Sequence, residues 1–327
     1  MSLLPLYYAA NISLAAIAVL VVDGNMCFFN YFIAGLKEAA DHPQQHQARI
    51  VVRHFKQTKY MGQQIKKWTL RLTATGLLIA GLLLIIILNP ILTYAHKTTY
   101  KKISIYHKKT IDPSLISTLD QATILLETSE FYNNNLKFDI CLNDGSTYPT
   151  IIKTIRGQAF AWGFYDKVVM QGIMNCKDNF VELNGYKWNL TQLIAHEMTH
   201  CLQFDKLGLI KSNPIANIPN WKWEGYAEYV SRRNADQKDL SKNIERFIET
   251  DKKNWEIKFA DSTITPREYY GYWILVQYCL DVKKMSYQHL LTDTTSEQST
   301  NREMRKWYEK TKVNAQHQIG NMAVEVL

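Results

Sequence analysis

Apolar residues are concentrated in two stretches near the start of the chain. Residues 1–36 carry one strongly ionising side chain, Asp23, and residues 72–95 contain no Asp, Glu, Lys or Arg. The second stretch, with the wholly apolar Gly76–Leu88 at its centre, is long enough to cross a bilayer, which takes about 20 apolar residues. We therefore predict a first membrane span with an interfacial segment over 1–36, and a second membrane span at 72–95. A cleaved signal peptide is the alternative for the first, although it lacks a basic start and a small-residue cleavage site.

After residue 95 the pattern becomes that of a folded domain with helices and strands. Apolar residues at helical spacing predict helices at 112–132, at 189–207, in WEGYAEYVSRR and in EYYGYWILVQYCLDV. Runs rich in aromatic and β-branched residues predict strands at 137–144 and 159–170. We therefore expect an α+β domain over about 100–292.

Two local signals refine this plan. Asn189, three residues before Gln192, resembles the capping box that starts a helix. At the other end, the polar stretch TDTTSEQSTN predicts a flexible link to a short charged helix around 302–312, within a polar tail over 293–327.

The net charge of +8 lies largely beside the predicted membrane helices. Segment 37–71 is basic, and basic loops next to a span favour the cytoplasmic side, so we predict a cytoplasmic loop and an extracytoplasmic domain. Five lysines between 97 and 109 weaken that asymmetry. No nucleic-acid motif accompanies the charge, so we expect anionic lipid, not nucleic acid, as its partner. The basic residues of the segment are Lys37, Arg49, Arg53, Lys56, Lys59, Lys66, Lys67 and Arg71.

The five cysteines show neither a CxxC motif nor zinc-finger spacing. Cys141 and Cys176 each lie near a predicted strand end, so they either form a disulfide or remain isolated buried thiols. Cys201 falls on the apolar side of the 189–207 helix and is expected in the core. The histidines of the basic segment, His42, His46 and His54, are expected to be solvated.

The segment HEMTHCLQF places His196 and His200 four residues apart, with Glu197 directly after the first. Positions four apart share a helix face, so both imidazoles can reach one Zn²⁺ ion with bonds of about 2.0–2.1 Å. Glu197, rotated about 100° from His196, can stand beside the metal and move a proton from its water to a leaving group. The pattern therefore predicts a hydrolytic zinc site.

Chance is the competing explanation for this motif. With 9 histidines in 327 residues, an HExxH arises by composition in on the order of one in a hundred such chains. The uncharged residues around it fit a buried active-site helix instead. A catalytic zinc takes three protein ligands and keeps one open position. Glu224 and Glu228, four apart on the next predicted helix, are both candidates for the third.

The paired segments HEMTH and IPNWKWEGYAEYV resemble the gluzincins, the peptidase MA-like zinc metallopeptidases, in a similarity that extends over about residues 110–291. In those families a Trp-x-x-Glu-Gly-x-Ala pattern follows HExxH, and its Glu is the third zinc ligand. The matching residues are Trp221, Glu224, Gly225 and Ala227.

The resemblance implies a zincin-like fold with zinc held by His196, His200 and Glu224. It also implies that Glu228 accepts the distal N–H of a zinc-bound histidine and fixes its tautomer. The alternative for Glu228 is a solvated helix residue.

A third segment, EYYGYWILVQYCLDV, resembles the later helix of these families, whose opening Tyr donates a hydrogen bond to the tetrahedral oxyanion. The register of the resemblance selects Tyr269, and Tyr270 and Tyr272 are the alternatives.

Residues 172–175, GIMN, are similar to the Gly-x-Met-Glu-Asn segment of aminopeptidase-type gluzincins. The Glu that holds the substrate amine is missing here, so the resemblance does not imply an aminopeptidase. The strand predicted at 159–170 is either an ordinary buried strand or an edge that aligns an extended peptide.

Taken together, these patterns predict a membrane-anchored zinc metallopeptidase that hydrolyses a peptide or protein. A catalytically silent protein of the same fold, binding a partner at the membrane surface, is the first alternative. An intramembrane protease is a second alternative, although the segments that flank HEMTH look aqueous. A purely structural membrane protein would leave HEMTH and WEGYAEY unexplained.

Overall fold

A computed structural model describes residues 45–233 and 237–325, with side-chain exposure for 64–233 and 237–313. The predicted first span at 1–36 lies outside the described residues. The chain divides into two units, Met1–Leu82 and Leu83–Leu327. The second unit contains all of the strands described below.

The first described element is one long helix, α1 (Gln45–Leu88). Its window Gln64–Leu88 is apolar and exposed, and is long enough to cross a membrane; of the two predicted spans, the described residues contain this one. Within the segment 37–71, predicted as a cytoplasmic loop between the spans, the residues from Gln45 onward are helical; the side of the membrane on which they lie stays a prediction. The helix ends at Leu88 and not at 95, since Pro90 restricts the residue before it and cannot donate a backbone hydrogen bond.

A mixed five-stranded sheet organises the second unit. Its spatial order is β1-β2-β3-β5-β4, with β2, β3 and β5 parallel and with antiparallel strands at both edges. Helices α2 (Ser114–Leu126) and α3 (Tyr148–Arg156) make the crossovers that parallel strands require. The predicted α+β class is confirmed. The strands are β1 (His96–Tyr100), β2 (Ile103–His107), β3 (Phe138–Cys141), β4 (Ala161–Phe164) and β5 (Lys167–Met170).

The prediction of a single strand at 159–170 is wrong, because the segment is a hairpin. Tyr165 has a φ of 56°, and this left-handed conformation reverses the chain between β4 and β5. The reversal places β4 at the edge of the sheet. One side of β4 therefore remains available beside the helix that carries HEMTH.

The remaining strands form two small antiparallel sheets, β6-β7-β8 and β9-β10. Their bounds are β6 (Ile173–Asn175), β7 (Phe180–Leu183), β8 (Tyr186–Asn189), β9 (Glu256–Lys258) and β10 (Ile264–Pro266). The remaining helices are α4 (Leu190–Leu207), α5 (Asn220–Ser231), α6 (Leu240–Glu249), α7 (Arg267–Gln277), α8 (Tyr287–Thr292) and α9 (Glu297–Glu325). A π-helical turn, Tyr278–Val282, continues α7.

The prediction of a linker followed by a short helix at 302–312 is also wrong. Helix α9 begins at Glu297 and runs to Glu325. Met304 and Tyr308 are buried and belong to the main core, so apolar contacts hold the start of this helix. The predicted 112–132 helix, by contrast, forms but ends at Leu126.

The two faces of the five-stranded sheet bury different apolar clusters. One face packs Ile140 and Val168 against α2 and α4 in the main core. The other buries Cys141 and Val169 in a second cluster, here called the Tyr148 cluster. Its members are Tyr94, Tyr106, Cys141, Tyr148, Ile152, Phe164, Val169, Phe204 and Trp223. Cys141 therefore lies in this cluster and Cys176 in the main core, and both are free thiols.

Helix α4 starts where the capping signal predicts. The Asn189 side chain accepts a hydrogen bond from the backbone N–H of Gln192. This satisfies one of the four N–H groups that lack a partner at a helix start. The Gln192 side chain does not return to Asn189. It binds Gln237 and Arg232 instead, so the box is half formed.

Helices α5 and α7 cross at very short range because of Gly225. A Cβ atom on Gly225 would lie 2.6 Å from the Tyr272 carbonyl oxygen and 2.8 Å from Val276 Cγ2. The glycine of WEGYA therefore permits the contact that brings α7 beside the helix bearing Glu224.

Two glycine-to-alanine changes test this packing. Gly225→Ala should lower the free energy of unfolding by about 1–3 kcal/mol, because its methyl group overpacks a rigid backbone contact. Gly271→Ala is the matched control within α7, since a Cβ there lies 3.4 Å from the Phe247 ring. It should be neutral or stabilise by up to about 1 kcal/mol. Thermal unfolding of the full chain measures both, and equal melting temperatures would contradict the assigned contact.

Candidate metal site

Three side chains of the types that bind metals converge from two helices of the second unit. His196 and His200 lie one turn apart on α4, and Glu224 lies on α5. The two Nε2 atoms are 3.1 Å apart. Glu224 Oε2 lies 3.4 Å from Nε2 of His196 and 3.2 Å from Nε2 of His200. These donors form a nearly equilateral triangle that could hold a metal ion.

The size of the triangle matches a tetrahedral metal site. Bonds of about 2.0–2.1 Å to a tetrahedral ion place neighbouring ligand atoms about 3.3–3.4 Å apart. The observed separations, 3.1, 3.2 and 3.4 Å, are close to that value. The four-residue spacing on α4 places the two imidazoles next to each other. The packing of α5 against α4 brings the Glu224 carboxylate to them. Glu224 is therefore placed with the histidines, as the sequence predicts.

The other ring nitrogen of each histidine also faces an acceptor. Nδ1 of His200 lies 2.7 Å from Gln203 Oε1. Nδ1 of His196 lies 3.2 Å from Glu228 Oε1, and neither of these two atoms has a hydrogen-bond partner elsewhere among the described residues. An N–H on each Nδ1 leaves each Nε2 with its lone pair directed into the triangle, as a metal ligand requires.

Glu228 is not a solvated helix residue. Its side chain is 0 % exposed, and Oε2 accepts a hydrogen bond from Nε of Arg232, which is itself 1 % exposed. Arg232 also donates from Nη1 to Gln192 Oε1 at 2.8 Å. Its guanidinium lies over the rings of Trp188 and Trp273. This buried cation holds Glu228 ionised behind His196.

Gln203 and Arg232 support the candidate site and were not predicted from the sequence. Gln203 lies three residues after His200, on the same helix face, and Arg232 lies four residues after Glu228. Side chains three or four residues apart contact each other on a helix, so both spacings predict these two contacts. Nothing in their spacing shows that the pairs are buried, which depends on the tertiary packing. Gln203 is held in turn by Tyr287, whose hydroxyl accepts from Nε2 at 2.7 Å.

Glu197 lies beside the triangle but is not part of it. It is buried, and Gly163 of the edge strand β4 lies against its backbone. A Cβ atom on Gly163 would lie 2.3 Å from the Glu197 carbonyl oxygen. Only glycine at this position lets the edge strand approach the HEMTH helix so closely.

Of the three candidate tyrosines, Tyr270 and Tyr272 have hydroxyls that are already hydrogen-bonded to other residues, which leaves Tyr269 as the candidate donor. The hydroxyl of Tyr270 donates to the Asn243 carbonyl at 3.2 Å, and that of Tyr272 donates to Glu268 at 2.5 Å. The ring of Tyr269 stacks on His196 with 6.2 Å between centroids. The register of α7 thus turns Tyr269 toward the histidines.

The electrostatics of the site favour a cation. Burial lowers the pKa of His196, but Glu224 and Glu228 outweigh it and raise that pKa to about 10. Burial raises the pKa of Glu224, yet His200 and His196 hold it well below its ordinary value. The Glu224 carboxylate, together with burial, raises the pKa of Tyr269 well above 10.0. Tyr269 therefore stays protonated and can donate a hydrogen bond.

Other predicted positions lie elsewhere. Cys201 is buried with its thiol 3.5 Å from the Lys167 carbonyl, as expected of a core residue. The GIMN segment forms β6. The HEMTH helix is separate from the apolar window Gln64–Leu88, so the described residues do not place the site inside that candidate span. The side chains of His42, His46 and His54 lie outside the described residues.

Comparison with protein-family models, with curated proteins and with solved structures finds no match. The contacts within this chain are therefore the basis for any functional assignment.

Replacing Arg232 tests whether it holds the buried carboxylate. Arg232→Met leaves Glu228 buried without its cation and should lower the free energy of unfolding by about 3–5 kcal/mol. Glu228→Gln combined with Arg232→Met removes both charges and should recover part of that loss. Urea unfolding of the full chain, followed by tryptophan fluorescence, measures both variants.

The adjacent Arg233 provides the matched control. It pairs with Asp281 at 3.4 Å in a partly exposed contact, and exposed pairs contribute about 0–1 kcal/mol. Arg233→Met should therefore change stability little. A double variant no more stable than Arg232→Met would show that the Glu228–Arg232 charge pair is not what stabilises this region.

Proposed function

We propose that the protein is a membrane-anchored zinc metallopeptidase with a zincin-like domain, similar in its site to the gluzincins. The observation that carries this proposal is the triangle of His196, His200 and Glu224 donors, with Glu197 and an edge strand beside it. A metal held only for structure is normally closed by a fourth protein ligand. Three protein donors beside a proton-accepting carboxylate fit a hydrolytic centre instead.

Zinc is the metal that this donor set favours. Two imidazoles and one carboxylate are the ligands of a known class of hydrolytic zinc sites, and the tetrahedral spacing suits a d¹⁰ ion. A bound zinc ion lowers the pKa of a water molecule toward about 7 and polarises a carbonyl. Peptide hydrolysis also requires a side chain that transfers protons and one that stabilises the negative charge developing on the carbonyl oxygen.

Glu197 is the group that fits proton transfer. Burial raises the pKa of its carboxyl, while His196 and His200 lower it. A carboxylate with a raised pKa both accepts a proton from the attacking water and returns it to the leaving amine more readily. The close contact between Gly163 and the Glu197 backbone places this residue directly beside the edge strand β4.

Tyr269 is the group that fits stabilisation of the oxyanion. It stacks on His196, and its raised pKa keeps the hydroxyl protonated. A hydroxyl preorganised beside the reacting carbonyl stabilises the tetrahedral oxyanion by hydrogen bonding.

The free edge of β4 fits an extended peptide substrate. The carbonyl of Phe160 accepts hydrogen bonds from Gln171 and Gly172, on the β5 side. Alternation along the strand then directs the backbone N–H and C=O groups of Ala161 away from β5. These groups can pair with a peptide laid antiparallel or parallel to the edge. Recognition through the backbone requires a peptide or protein substrate.

The location of the domain forms part of the proposal. Helix α1 crosses the membrane through Gln64–Leu88, and the basic residues before that window keep its start on the cytoplasmic side. The catalytic domain then lies on the extracytoplasmic side. Cys141 and Cys176 remain free thiols there, since each is buried in a separate apolar cluster.

Glu197→Gln separates catalysis from metal binding. The amide keeps the shape of the side chain but cannot accept the proton, so peptide hydrolysis should fall by about 10²–10⁴-fold or more. One equivalent of zinc per chain should remain by elemental analysis. Glu249→Gln, on an exposed residue at the end of α6, is the control and should retain both properties.

Two results would contradict the assignment. Purified protein without stoichiometric metal would remove the zinc site. Metal without hydrolysis of any extended peptide, in the unmodified chain as in Glu197→Gln, would favour the catalytically silent alternative that binds a partner.

Tyr269→Phe tests the proposed oxyanion donor. Loss of one such donor should reduce kcat by about 10²–10³-fold with little change in KM, because the hydrogen bond forms mainly in the transition state. Tyr272→Phe is the control, since its hydroxyl is already bound to Glu268. An equal fall in kcat for both variants would indicate a general disturbance of α7 and not a role for Tyr269.

A further inference from the structure

The loop that joins the HEMTH helix to α5 exposes three large apolar side chains. Leu209 is 46 % exposed, Ile210 is 78 % exposed and Ile215 is 57 % exposed. Single exposed apolar residues are common, but several on one loop indicate a surface that another apolar phase covers. Residues 208–219 also contain no Asp or Glu, and they include Lys211.

This 208–219 loop is held in shape by its own hydrogen bonds. Ser212 Oγ donates to the Gly208 carbonyl at 2.8 Å. Asn213 and Ile218 are joined twice, by a side-chain N–H to a backbone carbonyl at 2.8 Å and by a backbone N–H to the side-chain oxygen at 2.6 Å. The exposed apolar side chains are therefore presented by a folded loop and do not fold back into the core.

The base of the loop packs into the same cluster as the end of the apolar helix. Leu207, directly before the loop, and Ile218, near the end of the loop, pack against the Tyr148 cluster. Ile87, in the last turn of α1, packs against that cluster as well. The hydroxyl of Tyr148 donates to the Ile87 carbonyl at 2.5 Å. The end of the apolar window and the base of the loop therefore pack against the same group of side chains.

Position relative to the bilayer follows from this connection. If α1 crosses a membrane, Leu88 marks the end of its apolar window, where hydrocarbon gives way to headgroups. The hydrogen bond from Tyr148 to Ile87 therefore places the Tyr148 cluster next to that boundary.

Cations surround the same cluster. Lys97 lies 5.2 Å from the Tyr106 ring centre, and Arg156 lies 4.6 Å from that of Trp162. Lys153 and Lys211 are exposed. The ion pairs in the described part of the chain involve other cations. Basic side chains near a bilayer attract anionic lipid headgroups.

We infer that the 208–219 loop is a lipid-binding surface, which inserts Leu209, Ile210 and Ile215 into the interface of the bilayer that α1 crosses. The covering phase is anionic lipid, because the loop itself combines apolar tips with Lys211 and contains no Asp or Glu. This surface requires that α1 cross a membrane but does not depend on peptide hydrolysis. It attaches the domain to the membrane at a second point, in addition to the covalent connection through α1.

A fluorescent label at residue 210 tests the insertion. Ile210→Cys, made in the full chain with Cys27→Ser, is labelled with a polarity-sensitive dye and placed in nanodiscs of zwitterionic lipid containing phosphatidylglycerol. The four described cysteines are buried and should not react in the folded protein. Ile124→Cys is the matched control, since Ile124 is 63 % exposed and lies on α2, away from the loop.

Insertion predicts that the dye at 210 emits at shorter wavelength than the dye at 124. A quencher attached to the lipid tails should reduce its emission by about twofold or more, with no such effect at 124. Emission at 210 that the lipid quencher does not reduce would overturn the inference. A short-wavelength shift without lipid quenching would do the same, because it would place a second copy or another protein over the loop.

Discussion

The mutual approach of two imidazole nitrogens and one carboxylate oxygen is the constraint on which the rest of the site depends. These atoms lie 3.1–3.4 Å apart in the interior of the second unit. Burial of ionisable groups at such distances is unfavourable unless charges are compensated. Arg232 compensates Glu228, and Gln203 satisfies His200. A divalent cation would compensate the remaining carboxylate, so the arrangement makes most physical sense as a metal centre.

Two glycines make this convergence sterically feasible. Gly163 lets the edge strand β4 reach the backbone of Glu197, and Gly225 lets α5 reach the backbone of α7. The first contact holds the proposed base beside the site, and the second brings Glu224 and the Tyr269 helix together. Neither residue carries a functional group. Their contribution is the absence of a Cβ atom where two backbones approach within contact distance.

The sequence predicted the elements whose signals are local and strong. The cap at Asn189 and the spacing of His196 and His200 placed α4 correctly, and the α+β class follows from alternating helical and strand patterns. The predictions of element boundaries were wrong where tertiary contacts determine the local structure. The hairpin at Tyr165 depends on a left-handed turn, and α9 depends on the burial of Met304 and Tyr308. The burial of the Glu228–Arg232 pair could not be read from spacing alone, because the same i,i+4 pattern is common on solvated helices.

X-ray absorption at the zinc edge of the purified full chain measures the proposed coordination directly. Nitrogen and oxygen ligands at about 2.0–2.1 Å, with the outer-shell scattering of two imidazoles and no sulfur at about 2.3 Å, are the expected result. No sulfur ligand is expected, because burial raises the pKa of the nearby Cys201 thiol well above its ordinary value and so keeps it protonated. A spectrum dominated by thiolate sulfur, or a preparation with no bound metal, would contradict a site built on His196, His200 and Glu224.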